Sequence, residues 1–209
     1  MQVQNLLQYT SSVDDIEEQL HALVETRYIK THTPLVFEAL GFIQRLYHGK
    51  LRDNSVPYIL HPLRVALMLG QYEERTGTKL LIAALLHDTI KDGDLEDAEI
   101  EQRFGHFVAK LVTKVARYTS NTGDTSSTDW DEILLESHEI RALKVFEELD
   151  NVMYWRILPV NHALRNNIPF WLEDVRTKYL PLAHATNMQA YELMHQEYTY
   201  YVKHGYAHH

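Results

Sequence analysis

The chain has 209 residues, 45% hydrophobic and 23% charged, with no cysteine and a formal net charge of −9. That length fills one substantial core and is read as one domain over 1–209, while the missing thiols exclude disulfides and thiolate metal sites, so any metal falls to His, Asp or Glu. The acidic balance argues against a general nucleic-acid surface, because phosphate backbones are held mainly by Lys and Arg, and the longest apolar run, "LLIAALL", is far too short to cross a bilayer.

The N-terminal "MQVQNLLQYTSSVDD" has no basic stretch followed by an apolar one, and a soluble, cytoplasmic protein is expected. Apolar residues recur at helical spacing along the whole length, and Gly or Pro falls mostly between the periodic segments, so the fold class is all-α. Ser12 is placed to cap a helix over about Val13 to Tyr28, and Pro34 to open the next, which runs towards His48. "GKLRDNSVP" reads as a loop. Helical patterns resume over about Ile59 to Arg75, Lys79 to Thr89, Ala98 to Phe104 and His106 to Tyr118. "TSNTGDTSSTD", Thr119 to Asp129, reads as an exposed polar loop and a candidate lid. Beyond it, "WDEILLESHEIRALKVFEELDNVMYWRIL" keeps helical spacing up to Pro159, and two further helices are expected from near Pro169 and Asn187. The motif-bearing core is set at about 34–158 and the C-terminal helices at about 169–204.

Chemistry enters with "AALLHDTIKD", in which His87 and Asp88 stand side by side where an apolar helix ends and the two side chains can reach a common ion. Taken alone, the pair reads more simply as surface residues at a helix end. His61, in "PYILHPLRVA", strengthens the metal reading, since Pro57 and Pro62 frame a helix start that would hold the imidazole rigidly. Two neutral imidazoles and a carboxylate suit a borderline divalent ion such as Mn²⁺, Fe²⁺ or Zn²⁺, with positions left for water or phosphate oxygen. A further carboxylate would complete the site.

The segments "HGKLRDNSVPYILHPLRVA", "AALLHDTIKD", "EIEQRFGHFVAKLV" and "KVFEELDN", roughly Ala39 to Asn151, resemble the HD-domain hydrolases of the RelA/SpoT type, especially the stand-alone small alarmone hydrolases. The resemblance implies an HD-domain helical bundle, a Mn²⁺ ion, and removal of the 3′-pyrophosphate from guanosine tetra- or pentaphosphate. It also implies His61, His87 and Asp88 as metal ligands and places the last ligand on Glu147, with Asp150 one helical turn on as the alternative. The family's acidic pair in "HDxxED" falls on Lys91 and Asp92. Asp92 is kept as a catalytic residue, whereas the Lys91 ammonium cannot act as a base unless its pKa falls far. Lys91 is then either a solvated cation at a loop tip or a contact to substrate phosphate.

Substrate contacts are assigned by the same resemblance. Lys50 and Arg52 of "HGKLR" would clamp phosphate or stack on a purine, against the alternative of solvated loop charges, and Asn151 would contact a ribose or a water. Tyr58 is read as a packing residue. A metal-dependent phosphohydrolase acting on a small-molecule nucleotide is therefore expected, with a homo-oligomer compatible with the sequence. The alternative is a catalytically degenerate HD domain that binds nucleotide or a partner for regulation: Lys91 favours it, while the lack of any synthetase or regulatory domain in 209 residues favours the enzyme.

Overall fold

The structure is a computed structural model that describes residues 11–53, 55–90, 95–118, 130 and 132–205. The elements follow the periodic segments closely. Helix α1 (Val13–Arg27) starts at Ser12, whose Oγ accepts from the Asp15 N–H at 3.1 Å while Asp15 Oδ2 accepts from the Ser12 N–H at 2.9 Å. This reciprocal pair satisfies two orphan donors of the first turn. Ser12→Ala is expected to lower stability by about 1 kcal/mol, checked by urea denaturation.

Helix α2 (Thr33–Leu46) carries Pro34 in its first turn, where no N–H is needed. The segment read as a loop contains a short antiparallel ribbon, β1 (Leu51–Arg52) and β2 (Val56–Pro57), with Leu51 opposite Pro57 and Arg52 opposite Val56. Period-2 patterning cannot show in strands of two residues, and the ribbon leaves the helical class unchanged.

Helices α3 (Leu60–Tyr72) and α4 (Thr78–Leu86) form the centre. Every residue from Leu60 to Gly70 is buried, as is every residue from Leu80 to Leu86. Helices apolar on all sides belong in the interior, and each fully buried Leu or Ile contributes roughly 1.5–3 kcal/mol of transfer free energy. At Gly70 a Cβ would stand 2.4 Å from Leu23 Cδ2, so the missing side chain lets α1 approach α3 closely. Arg27 of α1 then donates to the carbonyls of Gly70 and Glu73.

Helix α4 ends three residues earlier than the spacing suggests. Thr89 returns its N–H (3.0 Å) and its Oγ1 (2.7 Å) to the Leu86 carbonyl, a local bond that competes with helix continuation and leaves His87 and Asp88 in the turn just past the helix. Helices α5 (Asp97–Phe104) and α6 (His106–Tyr118) meet at Gly105, whose φ of +89° favours glycine.

Downstream, the expected long helix is broken ahead of α7 (His138–Tyr154). Ser137 is extended, and the preceding Glu136 is drawn to α6, where its carboxylate accepts from Lys114 Nζ at 2.6 Å and Tyr118 Oη at 3.2 Å. Two 3₁₀ turns, Trp155–Ile157 and Ala163–Asn167, lead to α8 (Ile168–Asp174). A π-turn over Val175–Tyr179 joins α8 to α9 (Leu180–Thr186). Pro181 accounts for that widening: it has no N–H, and its ring would collide with the carbonyl four residues back in a regular α-turn. Asn187 then caps α10 (Met188–His204) by accepting from the Ala190 N–H at 2.9 Å.

The buried apolar side chains of the described residues, from Ile16 in α1 to Tyr201 in α10, form one cluster. Helix α7 packs on α3, α4, α6, α9 and α10, and so brings its polar residues against the ends of the two central helices. No helix among the described residues is long and apolar enough to cross a membrane.

Candidate metal centre

His61 sits in the first turn of α3 and His87 and Asp88 in the turn after α4, so the packing of α3 on α4 brings the three together. His61 Nε2 lies 3.0 Å from His87 Nε2, and Asp88 Oδ2 lies 3.5 Å from the first and 3.6 Å from the second. All three side chains are buried. Tyr58 Oη donates to Asp88 Oδ2 at 2.8 Å and fixes the carboxylate from outside the triangle.

Proton placement decides what this triangle is. His87 Nδ1 lies 2.7 Å from the Ala84 carbonyl, which can only accept, so Nδ1 carries the proton. His61 Nδ1 lies 2.6 Å from Asp150 Oδ2. Burial alone would push the Asp150 carboxyl up, but the Arg64 guanidinium and the His61 hydrogen bond hold it far below the usual carboxylate range, so it accepts and His61 Nδ1 donates. Burial, assisted by the Arg52 charge and opposed by Asp150 and Asp88, lowers the His61 pKa and keeps its ring neutral at pH 7. His61 therefore turns its unprotonated Nε2 towards His87 Nε2 at 3.0 Å, with a carboxylate oxygen beside them. His61, His87 and Asp88 thus form a group that could hold a metal ion.

The donor set fits a divalent ion. With ligand atoms about 2.1 Å from the ion, neighbours stand about 3.0 Å apart in octahedral and about 3.4 Å apart in tetrahedral arrangements, which brackets the first edge and closely approaches the other two. The ligand atoms of His61, His87 and Asp88 all lie within 4.8 Å of one another, and among the described residues they are the only such group of three.

Glu147 and Asp150 of α7, the two acids considered as a further ligand, lie outside that group of three. The Glu147 carboxylate accepts from Lys144 Nζ at 3.1 Å, one helical turn back, and both side chains are buried. Asp150 approaches His61 on the Nδ1 side, away from the triangle. Its Oδ1 accepts from Arg64 Nε at 2.6 Å, and its Oδ2 accepts from Arg64 Nη2 at 3.3 Å and Arg52 Nη1 at 3.2 Å in addition to His61.

Arg52, on β1, also donates to Asn151 Oδ1 at 2.5 Å and lies over the Tyr154 ring, 4.1 Å from its centroid. The structure thus groups Arg52 and Asn151 beside the triangle. Lys50 is exposed, its ammonium 5.3 Å from the Tyr47 centroid. Lys91, Asp92 and the polar loop Thr119 to Asp129 lie outside the described residues.

Three residues were missed by sequence reasoning. Tyr58 binds Asp88 as well as packing against Tyr47. Arg64 and Lys144 are each only 1% exposed. An arginine inside the otherwise apolar "LHPLRVALML" was a readable signal, because a buried guanidinium needs a buried acid.

The HD domain family matches residues 39–142. The chain belongs to the HD-domain family. It is 35% identical over 177 residues to a guanosine-3′,5′-bis(diphosphate) 3′-pyrophosphohydrolase of Aquifex aeolicus, covering 81% of this chain and 24% of the relative. A protein of the same name from Borreliella burgdorferi is 28% identical over 155 residues, covering 71% of this chain and 22% of the relative. The chain therefore spans less than a quarter of the length of these curated relatives. A solved structure of a metazoan ortholog of SpoT, described as hydrolysing ppGpp, superposes with a TM-score of 0.67 at 20% identity, covering 82% of this chain and 96% of that one. At that identity the likeness shows a shared HD-domain fold.

Proposed function

We propose that the chain is a divalent-metal-dependent phosphohydrolase that removes pyrophosphate from the 3′ position of guanosine tetraphosphate or a closely related nucleotide. The observation that carries this reading is the convergence of His61 Nε2, His87 Nε2 and Asp88 Oδ2, each oriented from behind by a hydrogen bond. Relatives named for this hydrolysis supply the substrate class. His61, His87 and Asp88 would hold the ion, Mn²⁺ by the family resemblance, with Glu147 the remaining carboxylate assigned to it. Such an ion supplies Lewis acidity towards water and a phosphoryl oxygen.

The chain's own residues then take distinct parts. Asp92 orients and deprotonates the attacking water, and the Lys91 ammonium meets a phosphate of the substrate. Arg52 and Lys50 hold phosphate or stack on the purine, and Asn151, beside Arg52, contacts the ribose. A cytoplasmic setting goes with a nucleotide substrate.

Pyrophosphate release from guanosine tetraphosphate and a nucleotide panel, with and without Mn²⁺, tests the reading. Metal-dependent turnover by the wild type supports it. No turnover of any nucleotide would leave the second reading, a regulatory HD domain that binds without hydrolysing, which Lys91 favours. Lys91→Glu restores the acidic pair beside Asp92. Because its carboxylate would stand where the ammonium meets substrate phosphate, the variant is expected to turn over that substrate more slowly than wild type, whereas a gain of the roughly 10²-fold or more that a general acid or base contributes would show that Lys91 had only displaced a water-orienting acid. Asp92→Asn is expected to be slower by a similar factor. Steady-state rates check both.

A further inference from the structure

We infer that Asp150 is a positioning residue of this centre and not one of its metal ligands: a single carboxylate sets the tautomer of His61 and the place of Arg52. The inference rests on the phosphohydrolase reading of the same site.

Three observations carry it. Asp150 meets His61 at Nδ1, whereas Nε2, across the ring, is the atom that faces His87 and Asp88. Its oxygens are engaged by Arg64 at 2.6 and 3.3 Å, by Arg52 at 3.2 Å and by His61 at 2.6 Å, and the side chain is fully buried. To become a ligand it would leave the buried Arg64 guanidinium without its carboxylate, a large cost in the interior. Arg52 is held by the same group: with Asp150 on one side, Asn151 on another and the Tyr154 ring beneath, the guanidinium has a defined position next to the triangle. A carboxylate behind a ligating imidazole orients the ring and raises its basicity, and losing it typically costs about 10- to 100-fold in metal affinity.

The test uses Zn²⁺ as a diamagnetic probe and nitrogen-15 spectra of the histidine rings, with His61 assigned by comparison with His61→Gln. In metal-free wild type, His61 is expected in the Nδ1–H form with a strongly downfield Nδ1 proton. On adding Zn²⁺ that proton persists while the Nε2 resonance moves. Loss of the proton on metal addition would mean that Asp150 has turned to the ion, and would overturn the inference.

Asp150→Asn is expected to bind one equivalent of Zn²⁺ about 10- to 100-fold more weakly than wild type. Unchanged affinity makes Asp150 a bystander, and lost stoichiometry makes it a ligand; either overturns the proposal. Should that variant not fold, Arg64→Met/Asp150→Leu removes both buried charges together, and the same weaker, one-equivalent binding is expected. Wild type that takes up neither Zn²⁺ nor Mn²⁺ would defeat the metal reading alone. The metal-free spectrum would still decide the present one, since His61 in the Nε2–H form overturns it.

Discussion

Asp88→Asn is expected, on the proposed reading, to fold, to bind a divalent ion far more weakly than wild type and to lose metal-dependent phosphohydrolysis by on the order of 10³-fold, since a ligand charge contributes several kcal/mol and each ~1.4 kcal/mol is tenfold. The change is isosteric, and the amide oxygen can still accept the Tyr58 hydroxyl that Asp88 Oδ2 now accepts at 2.8 Å. Only the negative charge is removed, since the same position keeps an oxygen in the triangle. His87→Ala should lose the ion as well, but it also opens a cavity at a buried position, so its melting temperature is expected to fall where that of Asp88→Asn does not. Metal content by mass spectrometry, Mn²⁺ titration and thermal melts separate the two. Full occupancy in both folded variants would sink the assignment of this triangle as a metal site.

Arg64→Met is expected to destabilise the protein by about 3–5 kcal/mol, the range for removing one member of a buried ion pair. Arg64 is 1% exposed and Asp150 is not exposed at all, so the carboxylate left behind cannot recruit bulk water. His61 and Arg52 remain as partners, at 2.6 and 3.2 Å, and place the effect towards the lower end of that range. The double variant Arg64→Met/Asp150→Leu should regain most of the loss, because well-packed apolar residues often replace a buried ion pair at little cost. Urea denaturation of the single and double variants measures this. A single variant within 1 kcal/mol of wild type would show that the network is not a stability element.

Much of the fold was legible because local rules and tertiary packing agree. Ser12, Pro34, Gly105 and Asn187 punctuate helices where capping and φ preferences say they should, and α6 runs over the residues that its periodicity predicts. Disagreement appears where a side chain is claimed by a distant element. Glu136 has helical spacing but is held by Lys114 and Tyr118, and the helix restarts at His138. The π-turn over Val175–Tyr179 joins segments that Pro181 would otherwise kink.

The site divides in the same way. The sequence by itself framed His61 between Pro57 and Pro62 at a helix start, set His87 and Asp88 near the end of an apolar helix and offered no thiol to substitute for them, whereas the Thr89 bonds to the Leu86 carbonyl, seen only in the fold, stop that helix ahead of His87. The sequence could not rank Glu147 against Asp150, since residues three apart on a helix share a face and both are acids. Only the docking of α7 on α3 separates them. It sets Asp150 against His61, Arg64 and Arg52, while Glu147 pairs with Lys144 one turn back on its own helix, because a buried carboxylate goes wherever enough donors converge to offset its lost hydration.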